Sequence, residues 1–213
     1  MPPIEWAGKN HTLFVKADGT LWGMGKNNDG RLGEAIAEKW DAPARIVDSE
    51  VRSASAGGAH SLFVKTDGTL WAMGNSWPNM LGQLGVLQYG VVPTQVVDGG
   101  VRTAHCGMYS SLFVKTDDTL WVMGDNTDGT TTRRYVPVQV AEGVRSASIS
   151  HEHLLLVKTD GTLWTMGWNE FGQLGDGTAT PRSVPVQIAD NVKVEIIKST
   201  GIQGLLNSPE VKK

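Results

Sequence analysis

Apolar residues in this chain come in bursts of five or six, broken by short polar turns, and no stretch sustains a helical period. In the clearest burst, His60-Ser-Leu-Phe-Val-Lys65 is followed by Thr66-Asp-Gly68 and then Thr69-Leu-Trp-Ala-Met-Gly74. Two β-rich runs around an Asp-Gly pair predict a hairpin, with a type I′ turn in which both central residues take positive φ. Both runs are apolar on two faces. Leu62 and Val64 fall on one side and Phe63 on the other; Leu70 and Ala72 oppose Trp71 and Met73. A sheet with one wet face alternates more cleanly, so these strands are expected to be covered on both sides.

The same wording occurs four times, at His11–Trp22, His60–Trp71, Ser110–Trp121 and His153–Trp164. A period of this length marks a repeat architecture. Each unit adds a small-residue run before the hairpin, such as Val51-Arg-Ser-Ala-Ser-Ala56, which suits a crowded inner position. A proline-headed run follows it: Pro43-Ala-Arg-Ile-Val47, Val92-Pro-Thr-Gln-Val-Val97, Pro137-Val-Gln-Val140 and Pro185-Val-Gln-Ile188. Proline there fits an edge strand. The third copy reads Asp117-Asp118 at the turn, so that turn is expected to be strained or of another type. Four short antiparallel strands per unit, repeated, give an all-β fold: a β-propeller of four-stranded antiparallel blades. The expected units are 4–48, 49–98, 99–141 and 142–190, an array within residues 1–191, followed by an atypical strand or cap and tail at 192–213.

Gly167-Trp-Asn-Glu-Phe-Gly-Gln-Leu-Gly-Asp-Gly-Thr178 and Ala56-Gly-Gly-Ala-His-Ser61 resemble elements of the regulator of chromosome condensation repeat family. The wording is similar to that of bacterial members. The resemblance implies a β-propeller, seven-bladed in the best-known members. Gly-Gln-Leu-Gly stands at 82–85 and 172–175, becomes Gly30-Arg-Leu-Gly33 in the first unit and is missing from the third. Four units are few for such a ring. The chain is expected to be part of a larger ring, or completed by another chain through its open blade edges, in preference to a small closed ring.

Charge and composition narrow the function. A formal net charge of −3 over 213 residues gives no basic footprint for nucleic acid. No apolar run is long enough to insert in a membrane as a helix, and no signal peptide is evident. The expectation is a cytoplasmic chain if Met1 is the true start, or a piece of a longer protein. Cys106, the single cysteine, sits among small residues and reads as packing. His11, His60 and His153 share one repeat position, so each is expected to hydrogen-bond within its own blade. His151 and His153 have the i, i+2 spacing that could begin a zinc site, but no third ligand is visible. The aspartates of the Asp-Gly turns lack the oxygen-rich spacing of calcium loops. Gly172–Gly175 lacks the lysine and helix of a phosphate loop. No cofactor, metal or catalytic residue is assigned, and the chain is expected not to be an enzyme.

The repeated tryptophans read as core. The aromatics and arginines that do not repeat are different: Trp40, Trp77, Tyr89, Tyr109, Arg133, Arg134, Tyr135, Trp168 and Phe171 fall in or beside the variable loops. These residue types are enriched at binding hot spots. A constant scaffold with divergent loops predicts a non-catalytic protein-binding or scaffold module whose contact surface includes Trp40, Trp77, Tyr89, Arg133, Arg134, Tyr135, Trp168 and Phe171. The resemblance also raises guanine-nucleotide exchange on a small GTPase as an alternative. A carbohydrate-binding or enzymatic propeller, and a structural segment of a larger protein, are further alternatives.

Overall fold

The computed structural model describes residues 4–33, 37–74, 90–124 and 134–192. Among these residues the fold is sixteen β-strands and no helix. Blade 1 contains β1 (Ile4–Ala7), β2 (His11–Val15), β3 (Leu21–Lys26) and β4 (Lys39–Val47). Blade 2 contains β5 (Val51–Ala56), β6 (His60–Lys65), β7 (Leu70–Gly74) and β8 (Gly90–Val97). Blade 3 contains β9 (Val101–Cys106), β10 (Ser110–Lys115), β11 (Leu120–Gly124) and β12 (Arg134–Ala141). Blade 4 contains β13 (Val144–Ile149), β14 (His153–Lys158), β15 (Leu163–Gly167) and β16 (Arg182–Ala189). Each sheet runs antiparallel in sequence order. The first strands β1, β5, β9 and β13 approach one another in series and form the inner edge. Among the described residues the first and fourth blades do not pack together as neighbouring blades do, which leaves the described array an open part-ring.

The two-faced pattern of the central strands is used as the sequence implies. Leu62, Val64, Leu70 and Ala72 of blade 2 pack against Val101, Ala104, Cys106, Phe113 and Met123 of blade 3. On the opposite face, Phe63 and Met73 pack with Leu13, Leu21 and Leu32 of blade 1. Leu112, Val114, Leu120 and Val122 of blade 3 meet Ala147, Leu154, Leu156 and Met166 of blade 4. The cores therefore lie between blades. Phe63 and Phe113 are 1% exposed in such seams, whereas Phe14, at the same position on the outer face of blade 1, is only partly covered.

The repeated sentence forms one hydrogen-bonded unit. In blade 2, Asp67 Oδ1 accepts the Thr69 N–H at 2.9 Å and the Thr69 hydroxyl at 2.7 Å. Thr69 Oγ1 in turn accepts the Trp71 indole N–H at 2.9 Å. Lys65 Nζ lies 4.9 Å from the Trp71 ring centroid. The same set recurs around Asp18, Asp117 and Asp160, with Lys16, Lys115 and Lys158 over their tryptophans. Aspartate, threonine, tryptophan and lysine are thus fixed together, each by the one before it.

The turn differs from the expected type I′. Gly68 N–H bonds to Lys65 O and Lys65 N–H to Thr69 O, and only Gly68 of the central residues has positive φ, +82°. This is the three-residue loop that ends in a left-handed bulge residue. Asp67 keeps negative φ because its carboxylate reaches forward to Thr69. In the third copy Asp118 takes the left-handed place, at φ +64°; its N–H bonds to Lys115 O and Lys115 N–H to Thr119 O, the same pair of bonds. It keeps the turn rather than changing it, and its carboxylate pairs with Arg102. The prolines also sit differently: β4, β8, β12 and β16 begin three or four residues before them. Pro43, Pro93, Pro137 and Pro185 occupy a break in the register with the third strand, on the outer edge of each sheet. A bulge tolerates the missing donor.

Thr69→Val removes the hydroxyl that joins Asp67 to Trp71 and leaves the indole N–H without its acceptor. It should lower unfolding stability by about 1–2 kcal/mol in a urea titration, with the strand content of the folded state unchanged.

Candidate functional site

The strand order places two kinds of loop at one end of the blades. These are the turn between the first and second strands and the longer loop between the third and fourth. Backbone bonds tie them together: Lys26 N–H to Asn10 O at 2.8 Å in blade 1, and Trp168 N–H to Glu152 O at 2.8 Å in blade 4. The Asp-Gly turns lie at the opposite end.

Two of the repeated histidines hold the seams beneath this face, and for His11 and His60 the expected intrablade role is overturned. His11 Nε2 lies 2.8 Å from Ser61 Oγ, and His60 Nε2 lies 2.9 Å from Ser111 Oγ; each bond reaches the next blade. The Ser61 hydroxyl donates to Arg31 O at 2.7 Å, so His11 donates its Nε2–H to Ser61. Burial, followed by the nearby Arg31 guanidinium, pushes the His11 pKa down to about 3 and that of His60 to about 4. Arg31, the arginine of Gly30-Arg-Leu-Gly33, is 3% exposed and donates across the seam to Gly58 O at 2.9 Å, while pairing with Asp29. The seam between blades 3 and 4 has neither member of the histidine–serine pair: Ser110 replaces the histidine and Leu154 the serine. His153 instead contacts Ser150 Oγ within its own blade through Nδ1, at 2.8 Å. The His151 ring packs edge-on to Tyr109, with centroids 5.3 Å apart, so His151 and His153 have separate partners.

Close approach at the inner corner of each seam depends on glycine. A Cβ at Gly8 would lie 2.5 Å from Gly57 O, and one at Gly57 would lie 2.6 Å from Gly107 O. Cys106 packs there, with burial pushing its thiol up to about 12, so it is not a nucleophile at neutral pH.

The blade 4 loop is built around Asn169, which is fully buried. Its Oδ1 accepts the Leu174 N–H at 2.9 Å, and its Nδ2 donates to Thr178 O at 3.0 Å and Thr180 O at 3.1 Å. Leu174 is fully buried, and its carbonyl accepts from the Thr165 hydroxyl of β15 at 2.9 Å. Asp176 accepts from Thr178 and from Arg182 Nε at 2.6 Å, and the threonine hydroxyl, then the arginine, draws its pKa to about 2. Blade 1 repeats the central device: Asn27 Oδ1 accepts the Leu32 N–H at 2.9 Å, and Leu32 is buried. The role of this asparagine was not read from the sequence, although it stands in the quoted loop signature.

Phe171, one of the residues singled out from the sequence, sits on the blade 4 loop with 86% of its surface exposed. Trp168 is half-buried at the base of the same loop. Tyr109 is 41% exposed across the seam. Trp40 lies in β4, pairs with Gly25 and packs against the core between blades 1 and 2. Trp77, Tyr89 and Arg133 lie outside the described residues. Arg134 and Tyr135 have their backbone in β12, with side chains outside the described set. A shallow polar cavity of about 400 Å³ on blade 1 is lined by residues that include Lys26, Asn28, Glu38 and Asp41.

The family model for the regulator of chromosome condensation (RCC1) repeat matches residues 160–201, and a second model of the same description matches 7–31 and 51–76. Residues 7–31, 51–76 and 160–201 are thus repeats of the regulator of chromosome condensation kind. Its fold is similar to that of human WBSCR16, with TM-score 0.77 and 21% identity over 88% of this chain and 53% of that one. It is also similar to a chain in the structure of Kap60 bound to yeast RCC1 (Prp20), with TM-score 0.77 and 20% identity over 91% of this chain and 51% of that one. A third similar structure is Prp20p from Saccharomyces cerevisiae, at TM-score 0.73 and 17% identity over 88% of this chain and 50% of that one. This chain of RCC1 repeats therefore spans about half the length of the solved structures it matches. No curated protein sequence matches it. The repeats and their propeller fold support a module of the protein-interaction or exchange-factor kind.

Buried histidines set a pH limit on this RCC1-repeat array. His11, His60 and the half-buried His105 are held neutral, the last with a pKa near 4 through desolvation. Below their ordinary value of 6.5 the unfolded chain binds protons that the folded chain refuses. Stability should be full above about pH 6.5. It should fall as the pH drops toward 4, and toward 3 for His11, by about 1.4 kcal/mol per pH unit for each histidine. Urea midpoints across this range check it, and His60→Asn should flatten the slope.

Proposed function

We propose that the chain is a non-catalytic protein-binding module that presents the loop end of its blades to a partner protein. The observation that carries this reading is Phe171. Its loop is rigidly hydrogen-bonded, so a large apolar side chain is held in water at small entropic cost to binding. The fold does not require an aromatic there. Blade 1 uses the same asparagine and buried leucine to build its loop, and places Asp29 where blade 4 has Phe171 and Lys26 where blade 4 has Trp168. Trp77, Tyr89 and Arg133 are proposed for the same surface from their positions between third and fourth strands, and Arg134 and Tyr135 from theirs at the start of β12; Trp40 contributes as packing beneath it.

Exchange on a small GTPase is the alternative. Its support is the repeat family and a similar structure, that of Prp20p, described together with its binding properties to Gsp1p and histones. Accelerated nucleotide release from a GTPase would favour it over simple binding. A second surface is proposed for self-association: the outer face of blade 1, where Phe14 and Met24 are only partly covered. Light scattering over a concentration series should show a species heavier than one chain, and Phe14→Asp should abolish it; a constant single-chain mass removes this surface.

The loop-face reading is tested with binders selected from a random peptide display library against the whole chain. Phe171→Asp should weaken the selected binders by roughly 30-fold, the scale of a hot-spot residue, without changing the unfolding midpoint. Binders indifferent to Phe171 and to Trp168→Ala would contradict it.

A further inference from the structure

We infer that the partner of this loop face engages it through a basic segment, with arginine or lysine side chains set beside an apolar residue. The inference rests on the loop-face reading above and adds the chemistry of what binds.

The contacts form a continuous strip across blades 3 and 4. Tyr109 meets His151 edge-on; His151 adjoins Glu152, with Nδ1 3.5 Å from Oε1; Glu152 O accepts the Trp168 N–H; Glu170 and Phe171 follow on the same rigid loop. Aromatic surface and carboxylate therefore lie together, with Tyr109, Glu170 and Phe171 exposed. On the blade 4 loop the basic side chain Arg182 is already paired with Asp176, 2.6 Å away. Among the described side chains the strip thus offers carboxylates and ring faces, with Arg182 already paired. A guanidinium or ammonium group fits both features, by attraction to the carboxylates and by stacking on the rings. The protein uses that second interaction at the other end of every blade, where a lysine lies over each repeated tryptophan. The equivalent loop of blade 1 has Lys26, Asn28 and Asp29 in place of Trp168, Glu170 and Phe171, so the character belongs to this end of the arc and not to the repeat.

The test uses fluorescein-labelled peptides of one length, alternating leucine with arginine, lysine, serine or glutamate, and anisotropy on the full chain. The arginine and lysine peptides should bind at least about tenfold more tightly than the serine and glutamate peptides, and added salt should weaken them. Phe171→Ser should abolish the binding. Glu170→Lys combined with Glu152→Lys should reverse the preference toward the glutamate peptide; both glutamates are solvent-accessible, and circular dichroism checks the fold. Binding that needs Phe171 but ignores peptide charge overturns the basic partner and leaves the loop-face reading standing. Basic-peptide binding that survives both sets of substitutions reflects the overall negative charge and overturns both, as does the absence of binding by any peptide.

Discussion

Among the described residues no blade of this protein has a core of its own. A four-stranded sheet with apolar side chains on both faces is stable only when another sheet covers each face, and the buried clusters lie in the seams between blades. The other repeated features serve that constraint. Glycine at positions 8, 57 and 107 lets the inner corners meet. The histidine–serine bonds His11–Ser61 and His60–Ser111 satisfy polar groups that the seam buries. The Asp-Thr-Trp-Lys chain fixes the far end of each hairpin, so that Leu62 and Phe63 face opposite neighbours in register.

With the seams carrying stability, the loops at the other end are free to differ. Asn27 and Asn169 hold their loops from within, by bonds to backbone atoms, and leave the outward side chains unconstrained. Blade 1 fills those positions with lysine, asparagine and aspartate; blade 4 fills them with tryptophan, glutamate and phenylalanine. The outer face of blade 1, where Phe14 and Met24 are partly covered, is less buried than the seams.

Much of this was legible in the residues. The apolar pairs on both faces of 62–64 and 70–73 required neighbours on both sides, and the repeat length required blades. What the sequence hid were relations between copies. His11 and Ser61 are far apart in the chain, and nothing local says that one reaches the other; the recurrence of His-Ser instead suggested a bond inside each blade. The Asp-Gly turn was misread because turn rules consider the two central residues, while Asp67 is committed to Thr69 beyond them. Trp40 and Phe171 looked equivalent as loop aromatics, yet the register of β4 puts Trp40 opposite Gly25 over the core and the Asn169 loop holds Phe171 in solvent.

Phe171 can act as a contact only if the loop that displays it is pre-organised. Hydrogen–deuterium exchange of the full chain, read residue by residue over 168–178, addresses it directly. The amides of Trp168, Gly172, Leu174 and Gly175 all donate within the fold. They should exchange as slowly as amides of the neighbouring strand β15. Exchange at the rate of an unstructured peptide would show that the loop is not held, and that the exposure of Phe171 is an incident of a loose segment.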